Sequence, residues 1–258
     1  MKILVVGRGW TGRKVFDELI KREHVVAMCS HFDAIKTVEE CQWDWVVNCA
    51  GITGTPNVDA CEAIKEETHL ANAIFPVQLK EACENSFAKF AHFSSGCIYQ
   101  GVIDDVNADP NYFGSTYSVS KGVSDVCLKD NSLIFRIRMP FTGVNEQKNY
   151  LCKVMKYAKT ARLIDSGQNS LTDLDEAVSV ACDLIEANET GPFNLVNQGS
   201  VNMHELVELL GIETEWFTQE EFRAVTAADR STCIIPAYSG MSDVKAALSK
   251  AISKIKNY

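Results

Sequence analysis

The chain has 258 residues, 46% of them hydrophobic, enough to bury a sizeable core as one large domain or as a domain with a smaller lobe. Its formal charge of -9, with no lysine or arginine cluster, disfavours non-specific attraction to a phosphate backbone but leaves room for one anionic nucleotide in a local basic pocket. Nucleic acid is thereby set aside as a partner, and the absence of any run of about eighteen apolar residues sets aside a membrane.

The first apolar run, Ile3 to Val6, predicts a strand, and it leads directly through Val6-Gly-Arg-Gly-Trp-Thr-Gly12 into a helical pattern from Thr11 to Lys21. Gly7, Gly9 and Gly12 have the G-x-G-x-x-G spacing. It supplies a tight turn at Gly7, close backbone approach to a pyrophosphate at Gly9 and close helix packing at Gly12, with the anion at the helix N-terminus beside Trp10 and Thr11. The second strand, Val25 to Met28, continues into Cys29-Ser-His31 without the acidic residue that would bind a ribose 2′-hydroxyl, and Arg8 lies in the turn where it could meet a 2′-phosphate. NADPH is the expected cofactor. Asp33, a few residues late, keeps NADH open.

Further strands at Trp45 to Val47, Phe87 to Phe93 and Leu133 to Ile137, with a helical stretch from Glu66 to Asn85, continue the alternation. That order predicts an α/β fold with a doubly wound parallel sheet. Ligands of such sheets sit beyond the carboxyl ends of the strands, where Gly7, Gly51, Ser95 and Pro140 fall. Tyr117-Ser-Val-Ser-Lys121 places a phenol and an ammonium on one face of a helix. The lysine charge favours tyrosinate and draws the phenol from about 10 toward working pH, so that Tyr117 can protonate an alkoxide formed as hydride reaches a ketone. Ser95, at a strand end, can bond the same carbonyl oxygen, and Asn72 can support a water or the lysine.

After Pro140 the pattern loosens into a helix near Asn149 to Lys159, another at Asp173 to Ala187, an apolar run from Pro192 to Val196 and a closing helix near Asp243 to Lys256. The expected division is a nucleotide-binding domain over 1–140, with 164–190 packing back on it, and a smaller C-terminal substrate-binding lobe from 141–163 and 191–258. Ten cysteines with no CxxC pair, and Met1-Lys2 running straight into a strand, predict reduced thiols and a cytoplasmic protein. The five histidines show no ligand spacing, so no metal is expected.

The glycine turn, Asn48-Cys-Ala-Gly51, Ser95 and Tyr117-x-x-x-Lys121 together resemble the extended short-chain dehydrogenase/reductase superfamily. Closer still, Asn48-Cys-Ala-Gly-Ile-Thr-Gly-Thr-Pro-Asn-Val-Asp-Ala-Cys-Glu62, Ser95-Gly-Cys-Ile-Tyr99, Arg136-Ile-Arg-Met-Pro140 and Pro192-Phe-Asn-Leu-Val-Asn197 are similar to the bifunctional UDP-4-keto-6-deoxyglucose 3,5-epimerase/4-reductases of UDP-rhamnose synthesis. The wider relatives are the dTDP-4-dehydrorhamnose reductases and GDP-fucose synthases, the latter with a cysteine two residues after the active-site serine, as Cys97 stands here. The resemblance implies an extended Rossmann fold in which Asn48, Ala50, Gly51, Asn72 and Pro140 line the cofactor, and Thr53, Asn57, Ser95, Arg138, Asn149 and Arg230 meet a nucleotide sugar. It also implies that Cys97 and Lys153 move protons at C3 and C5, while Ser95, Tyr117 and Lys121 serve reduction at C4.

Chemically, a ketone at C4 acidifies the hydrogens at both C3 and C5, so one carbonyl serves all three steps. The same resemblance implies a separate 4,6-dehydratase upstream and leaves a homodimer open. Three departures from the family pattern are a glycine motif one residue shorter, which bears on the approach to the pyrophosphate and the cofactor choice, an abbreviated stretch from Cys97 to Tyr117, and Cys233-Ile-Ile-Pro-Ala-Tyr238 in place of the usual polar run after Arg230, which leaves the nucleotide open among UDP, dTDP and GDP. A reductase without epimerase activity and a non-catalytic nucleotide-binding regulatory subunit stand as the alternatives.

Overall fold

The protein is described by a computed structural model over residues 1–226 and 231–255. In chain order the first half runs β1 (Lys2–Val6), α1 (Trp10–Lys21), β2 (Val25–Cys29), α2 (Ala34–Glu40) and β3 (Trp45–Asn48). A 3-10 turn at Val58–Ala63 then leads into α3 (Lys65–His69), a π-turn at Leu70–Ile74, α4 (Phe75–Asn85), β4 (Lys89–Ser95), β5 (Gly101–Val102), α5 (Thr116–Leu128) and β6 (Leu133–Ile137). The remainder holds β7 (Pro140–Phe141), α6 (Tyr150–Thr160), β8 (Thr172–Asp173), α7 (Leu174–Glu186), β9 (Gly191–Asn194), α8 (Met203–Leu210), α9 (Gln219–Arg223), β10 (Cys233–Ile234) and α10 (Val244–Ile255).

Six of the strands form one parallel sheet in the order β2-β1-β3-β4-β6-β9. A parallel strand buried on both faces needs an unbroken apolar run, and Ile3, Leu4, Val5 and Val6 are all fully buried. On one face Val15 and Leu19 of α1 and Val178, Ala181 and Ile185 of α7 pack on Ile3, Val5, Val47 and Phe135. On the other, Val38 of α2 and Leu79 and Cys83 of α4 pack on Leu4, Val46 and Ile134. At the solvent edge Arg22 ties α1 to α7, reaching Asp183 at 2.6 Å and Glu186 at 3.0 Å while holding Glu18 at 2.9 Å. The segment expected to pack back on the sheet therefore supplies half of one helical layer.

Two expected boundaries move. The fourth strand begins at Lys89 rather than Phe87, because Phe87 takes a φ of 59° in the turn before it and is 95% exposed. Residues from 191 onward were expected in the lobe, yet Gly191–Asn194 pairs with β6 as the sixth strand of the large sheet. An apolar run shows that a strand is buried, not which sheet receives it. The lobe has a core of its own, in which Phe141, Leu151, Val154, Leu206, Leu210, Leu248 and Ile252 meet.

The parallel pairs β5–β10 and β7–β8 tie the lobe to the loops above β4 and β6. Because β1 lies between β2 and β3, the winding reverses there and opens a crevice at the carboxyl edge of the sheet. All ten cysteines are free thiols. Among the described residues no helix is long and apolar enough to cross a membrane, and no cluster of His, Cys, Asp or Glu could hold a metal.

Candidate active site

At the head of the crevice the glycines do what their spacing predicts. Gly7 has a φ of 105°, and a Cβ there would lie 2.7 Å from the Ala50 amide nitrogen. A Cβ on Gly12 would fall 1.9 Å from the Gly7 carbonyl oxygen, so only glycine lets α1 start this close to β1. Above Gly9 the space is open for at least 4 Å from where a Cβ would stand. The first turn of α1 has neither a side-chain cap nor an acidic residue, so its amide groups face that space unpartnered by side chains. Arg8 and Gly9 are exposed, and Trp10 and Thr11 half-buried. These residues fit the pyrophosphate of a dinucleotide.

Deeper in the crevice Gly51 admits two side chains, since a Cβ there would stand 2.8 Å from Asn72 Oδ1 and 3.3 Å from Lys121 Nζ. Asn72 sits in the π-turn, fully buried, accepting from the Ile52 amide at 2.8 Å and donating to the Ile52 carbonyl and to Ser120 Oγ. Asn48 is likewise fully buried, accepting from the Ala50 amide at 3.0 Å and pairing with His92 at 3.1 Å. Both were expected to touch the cofactor. They instead brace the loop that would carry it, because their polar atoms are taken up within the protein.

Ser95, Tyr117 and Lys121 lie close together in the structure. Ser95 ends β4, its Oγ accepting the Cys97 amide at 3.1 Å and hydrogen bonding the Tyr117 phenol from α5. Lys121, one turn along α5, donates to the Phe93 carbonyl at 3.3 Å. Burial pulls its ammonium down to about 8, against Asp125 and Cys49, which favour the charge. The expectation that Lys121 draws Tyr117 to tyrosinate is corrected: burial and then the neighbouring Cys97 push the phenol up, opposed by the Ser95 hydrogen bond. Tyr117 is therefore held in the acid form, the form that can give a proton.

Burying Lys121 has a stability consequence with a definite sign. Its pKa is depressed from 10.5 to about 8, so the unfolded chain binds more protons between those pH values, and this contribution rises with pH across that window. Lys121→Met is expected to be more stable than the wild type at pH 7 by about 3 kcal/mol, taking 1.36 kcal/mol per unit. The difference should vanish by pH 10.5. Urea unfolding of both proteins at pH 7, 9 and 10.5 checks it; a pH-independent difference would refute the buried-charge account.

Beyond Ser95 a cavity is lined by Cys97, Tyr117, Ser118 and Arg138 together with Tyr112, Ser231, Thr232 and Cys233. The 231–233 part of this lining has no counterpart in the sequence motifs. It is built by β5–β10 pairing and by Gln100 Nε2 donating to Ser231 Oγ at 3.0 Å across 131 positions of sequence, which no local pattern announces.

Other expected substrate residues are placed as follows. Thr53 accepts from Lys148 Nζ at 3.0 Å, and Asn57 caps the 3-10 turn through Asp59 while reaching Tyr157 Oη at 3.3 Å. Pro140 is half-buried at the start of β7. Asn149 cannot meet a substrate: it is fully buried, capping α6 through the Leu151 amide and donating to the Thr142 and Val144 carbonyls. Lys153 is half-buried on α6 and does not line the cavity. Arg230 lies outside the described residues.

A Rossmann-like parallel sheet with a glycine cradle and a Ser-Tyr-Lys set at its carboxyl edge defines a reductase of the extended short-chain type. The chain belongs to the family described as the RmlD substrate binding domain, whose sequence profile matches residues 1–257. It is 34% identical over 206 residues to the trifunctional UDP-glucose 4,6-dehydratase/UDP-4-keto-6-deoxy-D-glucose 3,5-epimerase/UDP-4-keto-L-rhamnose-reductase of Arabidopsis thaliana, matching 72% of this chain and spanning 30% of that protein's length. Its fold superposes on the UDP-rhamnose synthase of Acanthamoeba polyphaga mimivirus with a TM-score of 0.88 at 26% identity, covering 98% of this chain and 99% of that one. A dTDP-4-dehydrorhamnose reductase of Bacillus anthracis, solved in complex with NADP, shares the fold with a TM-score of 0.80 at 17% identity, covering 99% and 98%.

Proposed function

We propose that this chain uses NADPH to convert UDP-4-keto-6-deoxy-D-glucose to UDP-L-rhamnose, inverting C3 and C5 and reducing C4. The observation that carries the reading is that Cys97 and Tyr117 open on one cavity, with Ser95 bound to both. A thiol and a phenol facing one cavity can serve proton transfer beside a ketone and protonation of its oxygen.

Within this reading the Ser95 hydroxyl and the Tyr117 phenol hydrogen bond the C4 oxygen and stabilise the enolate that forms when a C–H proton leaves. Cys97, as thiolate, takes that proton and becomes the thiol. Lys153 is assigned the return of a proton on the opposite ring face. The nicotinamide cofactor supplies hydride to C4. Tyr117 then gives its proton to the oxygen, and Lys121 stands one turn away to replenish it.

Support for the cofactor comes from the open glycine cradle, from Arg8 exposed at its rim, and from Asp33, whose carboxylate accepts Ser30 Oγ at 2.6 Å at the head of α2. The NADP bound by the Bacillus anthracis neighbour agrees. The printed name of the plant relative includes a 4,6-dehydratase, and a 4,6-dehydratase step is accordingly proposed to supply the keto sugar. One observation favours a second reading, reduction of an already epimerised sugar: Lys153 is absent from the cavity wall.

Incubation with UDP-4-keto-6-deoxyglucose and NADPH in heavy water separates the two. UDP-rhamnose carrying deuterium at C3 and C5 is the expected product. Turnover of UDP-4-keto-rhamnose alone, with no deuterium incorporated from the gluco substrate, would leave a reductase.

A further inference from the structure

We propose that Arg138 is the charge partner of Cys97, a positioning residue that holds the thiol as thiolate for proton abstraction, rather than a ligand for the substrate's diphosphate. The inference rests on the epimerase reading for its purpose but on contacts of this chain for its content. Arg138 is 7% exposed, and its Nη1 lies 3.5 Å from Cys97 Sγ and 3.4 Å from the Gly96 carbonyl. Its Nη2 donates to Asn169 Oδ1 at 2.5 Å. Asn169 is fixed in turn, its Nδ2 donating to the Ser166 and Gly167 carbonyls. Nε is buried with no hydrogen-bond partner.

This geometry fails as a phosphate clamp and fits a counter-ion. A bidentate fork needs two parallel donors free toward the ligand, whereas here Nη1 is taken by Gly96 and Cys97, Nη2 is held by Asn169, and Nε is shut away from the cavity. A buried guanidinium is costly without an anion, and among the described residues no carboxylate lies within salt-bridge reach of it. Two thiols, those of Cys97 and Cys233, stand where Arg138 favours an anion; Arg138 Nη1 reaches the first at 3.5 Å, whereas burial holds the second up to about 11. Thiolates form beside arginine in partly open settings of this kind.

The other described groups that act on Cys97 are the Tyr117 phenol from α5 and the Cys233 thiol from β10. Burial pushes the Cys233 thiol up to about 11 and the phenol upward, so both are neutral near pH 7 and Arg138 supplies the charge. Gly96 makes the approach feasible, because a Cβ there would stand 3.3 Å from Arg138 Cβ and 2.9 Å from Ile235 Cδ1.

The test reads the thiol directly. Intact protein is alkylated with iodoacetamide across pH 5 to 10 (about the range over which a thiol ionises), and the modified Cys97 and Cys127 peptides are followed by mass spectrometry, with exposed Cys127 on α5 as internal reference. In the wild type the Cys97 rate should reach half its plateau at a lower pH than that of Cys127. Arg138→Gln should slow Cys97 alkylation at pH 7 about tenfold and move its half-plateau to higher pH, Arg138→Lys should restore part of this, and Cys127 should not change. Should Arg138→Gln not fold, Asn169→Ala, which frees the guanidinium from its brace, is expected to move Cys97 in the same direction. A Cys97 profile at or above that of Cys127 in the wild type, or unchanged in Arg138→Gln while the KM for substrate rises, would overturn the proposal. A low Cys97 profile in a protein that incorporates no deuterium would overturn the epimerase reading and leave the pair standing.

Discussion

Tyr117→Phe is expected to lower NADPH-dependent reduction about 10²- to 10⁴-fold, the usual range for losing a positioned proton donor, while leaving deuterium exchange at C3 and C5 within about tenfold of the wild type. The substitution removes one oxygen from a residue that is 7% exposed and packed on α5, so the fold has no reason to move. Ser95 remains to bond the C4 oxygen, its Oγ still fixed by the Cys97 amide at 3.1 Å. The enolate keeps one of its two donors, whereas the alkoxide loses its acid. Because burial and Cys97 keep the phenol protonated, the wild-type rate should not require a rise of pH to form tyrosinate, and reduction should stay flat below pH 8 until Lys121 begins to titrate at about 8. Parallel measurement of NADPH consumption and of substrate mass in heavy water distinguishes the steps. An equal loss of both would show that the enolate depends on Tyr117 as heavily as the alkoxide does, and would overturn the division of steps.

Cys97→Ala is the complementary case. Exchange at C3 and C5 should fall to background, about 10²-fold or more, because Cys97 is the group assigned to take the proton and the other described thiol on the cavity, Cys233, is pushed up to about 11 by burial. Reduction of UDP-4-keto-rhamnose supplied already epimerised should remain within a few-fold, about the effect of losing a neighbour rather than a participant. The backbone amide of residue 97 still reaches Ser95 Oγ, and a half-buried thiol leaves little void when its sulfur is removed. Removing the thiol also removes one of the influences that push Tyr117 up. A silent mutation would identify a reductase that never required the cysteine, and loss of both activities would show that Cys97 holds the site together.

The two variants probe parts of the site that differed in how far they could be read beforehand. Gly7 and Gly12 carry a steric message that is local, since each answers to atoms within a few residues or on the adjoining loop, while Gly9 leaves open space. Tyr117 and Lys121 share a helix face by simple periodicity, and Ser95 ends an apolar run; those three were legible for the same reason. The charge state of Tyr117 was not. It depends on burial, which sums contributions from β4, α5 and the cavity, and the lysine expected to ionise it turns its ammonium to the Phe93 carbonyl.

Asparagines illustrate the same limit. Asn48, Asn72 and Asn149 stand at positions where the resemblance implied ligand contact, and each is sealed inside the protein as a brace or cap. An amide reads identically in sequence whether its partners are backbone or ligand.

By itself the sequence determined the alternating α/β order, the anion cradle at the head of α1 and the Ser-Tyr-Lys set, because helix periodicity, strand runs and glycine sterics act over a few residues. Tertiary structure alone decided that β9 joins the large sheet, that 231–233 completes the lining of the cavity that Cys97 faces, and that the Arg138 guanidinium meets a thiol. Those outcomes hang on pairings between distant segments, and on desolvation, which exists only once the chain has packed.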